Sequence, residues 1–434
     1  MKSIWFKGIN KPEFNCLDSD CETDILIVGG GLAGILCAYM LDQSGADYIL
    51  IEADKICCGV TADTTAKITA QHGLIYDKII SKYGIDYARE YYQFNSKAIN
   101  TYRDLCEKYN CRFETKSAYV YSLHKSDDIE NEINAYRTLG IPFETVTDTL
   151  LPFDIYKAIR MDNQGQINPL ELLFKVSERL NIKENTKLIN LSDNIAQTNH
   201  GRIRYRRAII TTHFPILNKH GLFSLKMYQH RSYVIALKNA QNVDGMYIDA
   251  SEKGLSFRNC DDLLLLGGGS HRTGKKGGNY TELIRFAESH YPDATIETQY
   301  ATQDCMTLDG MPYIGQYSRN TPELFVATGF NKWGFTSAMV AAEILCNTLK
   351  AEKRLDEKNQ IFSPSGRIFH PQLAVNIFET AVNFITPTVP RCPHLGCALK
   401  YNKDEHSWDC PCHGSRFTES GKLINNPATD DKQF

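Results

Sequence analysis

The sequence predicts an α/β protein: a parallel-sheet dinucleotide-binding unit, a second and mostly antiparallel sheet, and a small C-terminal lobe arranged to hold metal. Three observations carry this. A strand, a glycine turn and a helix open the chain in DILIVGGGLAGILCAYMLDQSG. Several short apolar runs bounded by turn residues fill its middle. Four Cys and two His crowd two short segments near its end, RCPHLGC and DCPCHGS.

Taken in order, Asp24 to Val28 is an apolar strand run, and Gly29, Gly31 and Gly34 give G-x-G-x-x-G at its end. Ile35 to Leu41 continues as an apolar helix. A second strand, YILIEA, places Glu52 eighteen residues after Gly34. Those flanks turn a weak glycine pattern into a specific one. The glycines let the backbone approach a pyrophosphate where unpaired N–H groups and the helix dipole favour anions. Glu52 is placed to accept hydrogen bonds from ribose hydroxyls.

Residues 77–132, with YAREYYQFNSKAINTYRDLCEKY, carry Tyr, Lys and Glu at helical spacing, and their aromatic stripe reads as packing. SAYVYSL and PFETV read as strands. GQINPLELL opens a helix with Asn168 as N-cap before Pro169. RRAIITTHFPI is a buried-strand run, and RSYVIAL, GLSFR and DLLLLGGG read as strands of the second sheet. MTLDGMPYIG and FVATGFNKWGFTSAMVAAEILCNTL return to strand, Gly-rich turn and apolar helix. GGGSHRTG is followed by no convincing helix, so a second dinucleotide motif for a nicotinamide is not expected. The stretch from Lys350 to Gly366 is the best candidate boundary.

Composition sets limits. The chain has 434 residues, 42% hydrophobic and 23% charged, as in ordinary globular proteins, and is long enough for two or three domains. A net charge of -3 gives no electrostatic reason to expect nucleic acid. No apolar run approaches the roughly 18 residues of a spanning helix. With no signal-peptide pattern in MKSIWFKGINKPEF, a cytoplasmic location is expected. Fourteen cysteines in such a chain argue against a disulfide framework. Cys37, Cys106 and Cys346 read as small core residues.

VGGGLAGILCAYML with IEA, TLDGMPYIG, and ATGFNKWGFTSAMVAAEI resemble the D-amino-acid-oxidase-like FAD oxidoreductases, over residues 22–350. The resemblance implies FAD extended across a Rossmann-type domain, roofed by an antiparallel-sheet substrate domain. It implies that Gly29, Gly31, Gly34 and Glu52 hold the ADP half. Thr61, Thr65 and Lys67, in TADTTAK, would lie along the pyrophosphate and flavin. Gly329, Gly334, Phe335 and Thr336 would meet the flavin ring. The sequence also departs from the family: where many relatives carry Arg-Pro before the TPDG-like motif, this chain has Asp304 and Cys305. Some members attach flavin to a cysteine in this region, but the spacing of Cys305 to the DG pair differs from theirs, and non-covalent FAD is expected. No catalytic residue is assigned. Arg258, Arg272 and His271 are candidates to face a substrate, with solvated surface positions as the alternative.

At the other end, Cys392 and His394 form C-x-H, Cys410 and His413 form C-x-x-H, and 15 residues lie between the pairs. Two thiolates and two imidazoles suit zinc, or a [2Fe–2S] cluster with the cysteines on one iron and the histidines on the other. RCPHLGCALKYNKDEHSWDCPCHGSRF resembles the Rieske family, which implies the cluster, a small all-β lobe, and two loops clamping the cluster from either side. Its cytochrome-complex members join the loops by a disulfide at positions matching Cys397 and Cys412. Ser415 would donate toward a bridging sulfide, while Phe417 stands where high-potential relatives often have tyrosine, so a middling potential is expected. The Rieske-like domain is assigned to 366–434 with its cluster lobe at 390–434, truncated because the preceding strands are missing and residues 361–389 look partly helical. The lobe is expected to pack on the flavin domain. The partners implied are a small amine or amino-acid substrate, oxidised at a C–N bond, and an unidentified electron acceptor or donor protein. The alternatives are a reductase component feeding a partner through the cluster, or a non-catalytic redox-sensing module.

Overall fold

A computed structural model of the chain describes residues 3–251, 253–351, 357–365, 370–387 and 390–433. The candidate boundary at 350–366 lies partly outside the described residues, as do Gly366 and Phe434.

The central strand Cys21–Val28 pairs in parallel with Tyr48–Ile51 on one side and Arg202–Ile210 on the other, and Arg202–Ile210 pairs in parallel with Leu324–Thr328. Both faces of such a sheet must be covered, which is why these strands are continuous apolar runs. Leu26, Ile27, Leu50 and Ile209 are fully buried, and each contributes roughly 1.5–3 kcal/mol through burial. Helices Leu32–Asp42 and Gly334–Ala351 pack together above the sheet, where Cys346 Sγ donates to Cys37 O at 3.5 Å. The parallel register brings Val28, Ile51, Ile210 and Thr328 to one end of the sheet, so Gly29, Glu52, Thr211 and Gly329 open onto one crevice.

The second sheet has nine strands. Met227–Lys238 pairs antiparallel with Leu263–Arg272 on one side and Thr295–Thr307 on the other. Only one pairing among the described strands of this sheet is parallel, Met246–Asp249 with Phe113–Ser122. A third sheet, near the C-terminus, is a meander of four three-residue strands: Lys400–Asn402, Ser407–Asp409, Arg416–Thr418 and Leu423–Asn425. Its core is small: Leu399, Phe417, Ala428 and four cysteines. Helix Pro371–Ile385 precedes this sheet in the chain, in place of the strands missing from the sequence pattern.

Local chemistry explains the boundaries. Asn168 caps helix Pro169–Ser177, its side chain accepting from Leu170 N and Glu171 N. The stretch 77–132 is not one helical region. Gly84, at φ 96°, separates helices Tyr76–Tyr83 and Ile85–Lys108, and strand Phe113–Ser122 intervenes before helix Asp127–Leu139. Positive φ favours glycine, which ends one helix and begins the next. A helix, Tyr280–His290, does follow GGGSHRTG, but the glycines belong to a strand with antiparallel neighbours, so no βαβ crossover forms there. Among the described residues, no helix is long and apolar enough to cross a membrane.

Candidate functional site: a nucleotide cavity with a cysteine–histidine centre in its outer wall

A cavity of about 880 Å³ runs from the first glycine turn to the antiparallel sheet. Of the residues assigned to FAD from the sequence, Gly29, Gly31, Glu52, Thr61, Thr65, Lys67, Gly329, Gly334 and Phe335 line it; Gly34 and Thr336 stand behind its wall. At Gly29 and Gly34 the turn has room for nothing larger than glycine. Gly29 is at φ 112°, and a Cβ on Gly34 would meet Gly29 O at 1.9 Å. This close-packed turn, open to the cavity at Gly31 and Leu32, is the cradle a pyrophosphate requires. Glu52 accepts from Gly30 N at 2.7 Å and Asp54 N at 3.0 Å. Each carboxylate oxygen keeps a second lone pair for a ribose hydroxyl.

The loop carrying Thr61 to Lys67 is pinned from behind. Arg258 donates to Thr65 O at 2.7 Å and Ala66 O at 2.8 Å, and Trp5 Nε1 donates to Thr64 O at 2.8 Å. Arg258 is therefore neither a substrate arginine nor a solvated one: it is 1% exposed and spends its donors on this loop. Burial, with the Arg258 charge as a second cause, lowers Lys67 to about 7, so an anionic group in the cavity would restore its charge.

Sequence reasoning gave no role to His72 and assigned none to Asn331 or Lys332 individually. His72 is stacked on Trp333 at 4.7 Å and 16°, and it reaches Tyr91 Oη at 2.6 Å. Burial holds it neutral, lowered to about 3. Asn331 and Lys332 both have left-handed backbone, φ 49° and 74°. That turn is held by Asn331 Nδ2 donating to Gly329 O, and it brings Lys332 Nζ to Ser270 Oγ at 2.8 Å. The lone signal in the sequence was the FNKWG string, whose backbone conformation no periodicity reveals. Asp304 lines the same cavity, raised to about 6 by burial. Cys305 lines it too; burial pushes its thiol well up. His271 stacks on Tyr233.

The cavity's outer wall includes Leu423, Asn426, Ala428 and Thr429 from the C-terminal lobe. Asn426 Nδ2 donates to Thr212 O and Phe214 O. Behind Phe214 lies His413, the two rings 6.3 Å apart. The segment Thr211–Phe214 thus has the cavity on one face and the cysteine–histidine centre on the other.

The structure brings Cys392, His394, Cys410 and His413 together. The Cys392 and Cys410 thiols share a hydrogen bond that raises Cys392 and lowers Cys410. The imidazoles of His394 and His413 lie edge to face at 5.0 Å. Burial lowers His394 to about 4 and His413 to about 3, so both are neutral, as metal ligation demands. Most telling, Nδ1 of each is buried without a hydrogen-bond partner. Buried polar atoms are seldom left so, and two adjacent orphans beside two thiols fit a metal group. The other nitrogen of His394, Nε2, meets Asn218 Oδ1 at 2.8 Å, which fixes the ring as outer partners of metal-bound histidines do.

Cys397, Cys410 and Cys412 also place their sulfurs within 4.8 Å of one another. A site of those three thiols alone would leave both imidazole nitrogens stranded, so the Cys2His2 set accounts for more. Where the resemblance implies a disulfide, Cys397 and Cys412 are free thiols in this structure. Their sulfurs lie close to each other and to that of Cys410, and hydrogen bonding with Cys410 and Cys412 lowers Cys397 while that with Cys397 raises Cys412. Ser415 receives Ala428 N–H at 2.9 Å and stands against the Cys392 sulfur. Phe417 is fully buried in the lobe. Arg272, a substrate candidate from the sequence, instead donates to Pro411 O and Cys412 O, in the second of these loops.

The pattern describing the FAD dependent oxidoreductase family matches residues 24–348, and that of the Rieske [2Fe-2S] domain matches residues 366–434. A Bacillus subtilis protein named as a Rieske 2Fe-2S iron-sulfur protein, YhfW, is 33% identical, over 98% of this chain and 96% of its own. The cytochrome b6-f complex iron-sulfur subunit of Synechococcus elongatus is 41% identical over 10% of this chain and 30% of its own. In fold, the chain is similar to L-proline dehydrogenase from P. horikoshii, with TM-score 0.67, 16% identity, and coverage of 80% of this chain and 98% of that one. It is also similar to L-amino acid deaminase from Proteus vulgaris, with TM-score 0.64, 13% identity, and coverage of 82% and 99%.

Proposed function

Because the chain belongs to the FAD-dependent oxidoreductase family and ends in a Rieske [2Fe–2S] domain, we propose that it oxidises a C–N bond of a small amine or amino acid. In this reading the electrons leave singly through the cluster to an external acceptor protein. Residues 22–350 form the flavin half and 366–434 the cluster half. Gly29, Gly31, Gly34, Glu52, Thr61, Thr65, Lys67, Gly329, Gly334, Phe335 and Thr336 hold FAD. Cys392, His394, Cys410 and His413 hold the cluster. Bound there, the flavin takes two electrons as hydride and the cluster carries one at a time.

One observation carries the reading: lobe residues Leu423, Asn426, Ala428 and Thr429 line the nucleotide cavity, and His413 packs against the ring of Phe214, the residue after the lining His213. Neighbouring placement of a two-electron and a one-electron centre favours transfer between them over two separate roles. The chain's own residues supply the setting. His72 and Trp333 make a flat, apolar wall, while Lys67, Asp304 and Lys332 give that wall the charged groups that can orient a small polar substrate. Two solved structures of similar fold, L-proline dehydrogenase and L-amino acid deaminase, are named for amino-acid chemistry, which favours that substrate class. The same reading places the protein in the cytoplasm, whose reducing pool keeps scattered cysteines such as Cys37 and Cys106 as thiols.

The test is anaerobic. Holoprotein is mixed with a panel of small amines and amino acids while flavin absorbance, and then the EPR signal of the reduced cluster, is followed. Bleaching by at least one such compound, with the cluster signal rising afterwards, is expected. Bleaching by NADH or NADPH and by no amine would reverse the direction of flow and defeat the reading.

A further inference from the structure

Four consecutive main-chain carbonyls of the second cluster loop accept from side chains of the antiparallel sheet. Arg272 Nε donates to Pro411 O and Arg272 Nη2 to Cys412 O, both at 3.0 Å. Gln229 Nε2 donates to His413 O at 2.7 Å, and Gln303 Nε2 to Gly414 O at 2.8 Å. The two amides are joined to each other at 2.7 Å, and Thr273 Oγ1 donates to Gln303 Oε1 at 3.1 Å. The backbones press as close as side chains allow: a Cβ on Gly274 would meet Pro411 N at 2.6 Å, and one on Gly414 would meet Gln229 Cβ at 2.6 Å.

Within this clamp Arg272 alone is charged. Its Nη1 donates to Asn376 Oδ1 at 2.8 Å, on helix Pro371–Ile385. The guanidinium lies 4.9 Å from the centre of the Tyr228 ring. All three of these acceptors are neutral. The carboxylate that acts on it most, Glu379, is itself paired with Lys275 Nζ at 2.5 Å. A largely uncompensated cation therefore sits against the loop that carries Cys410 and His413. Reduction adds one negative charge to a cluster, and net charge and hydrogen bonding nearby set its potential. A buried cation favours the reduced form.

We propose that Arg272, a residue of the flavin domain, raises the potential of the cluster while holding its second loop together with Gln229 and Gln303. The flavin domain would then tune the centre it delivers electrons to. This rests on the cluster-ligand assignment made above.

An EPR-monitored redox titration of the iron-loaded full chain tests it. Arg272→Gln is expected to lower the equilibrium constant for cluster reduction about tenfold, a shift of about 59 mV to more negative potential for a one-electron couple. Asn376→Asp sets a carboxylate against the guanidinium and leaves the donors of Arg272 in place; it is expected to shift the potential in the same direction. Arg272→Lys keeps the charge and is expected to keep most of the wild-type potential. Unmoved potentials in both Arg272→Gln and Asn376→Asp would overturn the proposal, as would a lysine variant that moves as far as the glutamine one. If Arg272→Gln fails to hold iron, an unmoved potential in Asn376→Asp, or a shift of about 59 mV in Arg272→Lys, overturns the proposal. A wild-type chain without the signal of a histidine-ligated cluster would overturn the ligand assignment, and this proposal with it.

Discussion

Gly34 shows how much chemistry one missing methyl group can carry. The Cβ of an alanine there would lie 1.9 Å from Gly29 O and 2.9 Å from Thr211 Oγ1, and neither neighbour can retreat. Gly29 is the first residue after strand Cys21–Val28, and Thr211 is the first after the neighbouring strand Arg202–Ile210. Gly34→Ala is therefore expected to push the turn out of the cavity and cost at least about 100-fold in FAD retention, a loss of roughly 2.7 kcal/mol. Flavin-to-protein ratio after gel filtration measures it, and a variant that keeps its yellow colour would contradict this account. Cys305 shows the opposite case, a reactive group made inert. It lines the cavity, but burial, with Asp304 as a second cause, holds its thiol protonated, and the thiolate is the nucleophile. FAD is thus expected to leave on denaturation, so the intact mass of the unfolded chain should be that of the polypeptide alone.

At the scale of elements, buried carboxylates do structural work that titrates. Glu132 sits in helix Asp127–Leu139 and accepts Tyr76 N at 3.0 Å and Asp77 N at 2.9 Å, capping the neighbouring helix. Burial raises it to about 7, the backbone N–H groups opposing. A carboxyl whose folded pKa exceeds its unfolded value binds more protons in the folded chain between roughly pH 4.5 and 7. Its contribution is present below that window and fades as pH rises through it. Glu132→Gln should flatten the pH dependence of Tm between pH 5 and 7.5, seen as a smaller drop than wild type; an identical slope would refute the assignment. Such a role was invisible in the sequence, where Glu132 was one polar residue of a helical stretch. The elements that were legible share a cause: DILIVGGGLAG and RCPHLGC join residue type, spacing and local geometry within a dozen positions. What stayed hidden depends on contacts across the chain. Arg258 and Arg272 looked like substrate arginines, yet Thr65 O and Pro411 O, far away in sequence, decide what they do.

For the whole molecule, the question is whether the cluster lobe stands alone. Its four strands have three residues each, and its apolar core is a handful of side chains, less than a domain of this size needs to be stable. Much of what holds it comes from the flavin domain. Arg231 pairs with Glu405, which also pairs with Arg416, and Arg416 Nε reaches Asp409 Oδ1 at 2.9 Å in the buried interior. Removing Arg231 from such a network would leave Glu405 short of a partner, a loss of about 3–5 kcal/mol. Carbonyls 411–414 would lose all four of the donors described above, and His413 would lose the cover of Phe214. Unsatisfied carbonyls next to ligands that must hold iron favour opening of the loop and loss of the metal. Residues 366–434 expressed without the rest are accordingly expected to yield a chain that neither retains iron nor unfolds cooperatively. Iron content after desalting and a thermal melt read this directly, and a stable, iron-loaded fragment would show that the lobe carries its own fold.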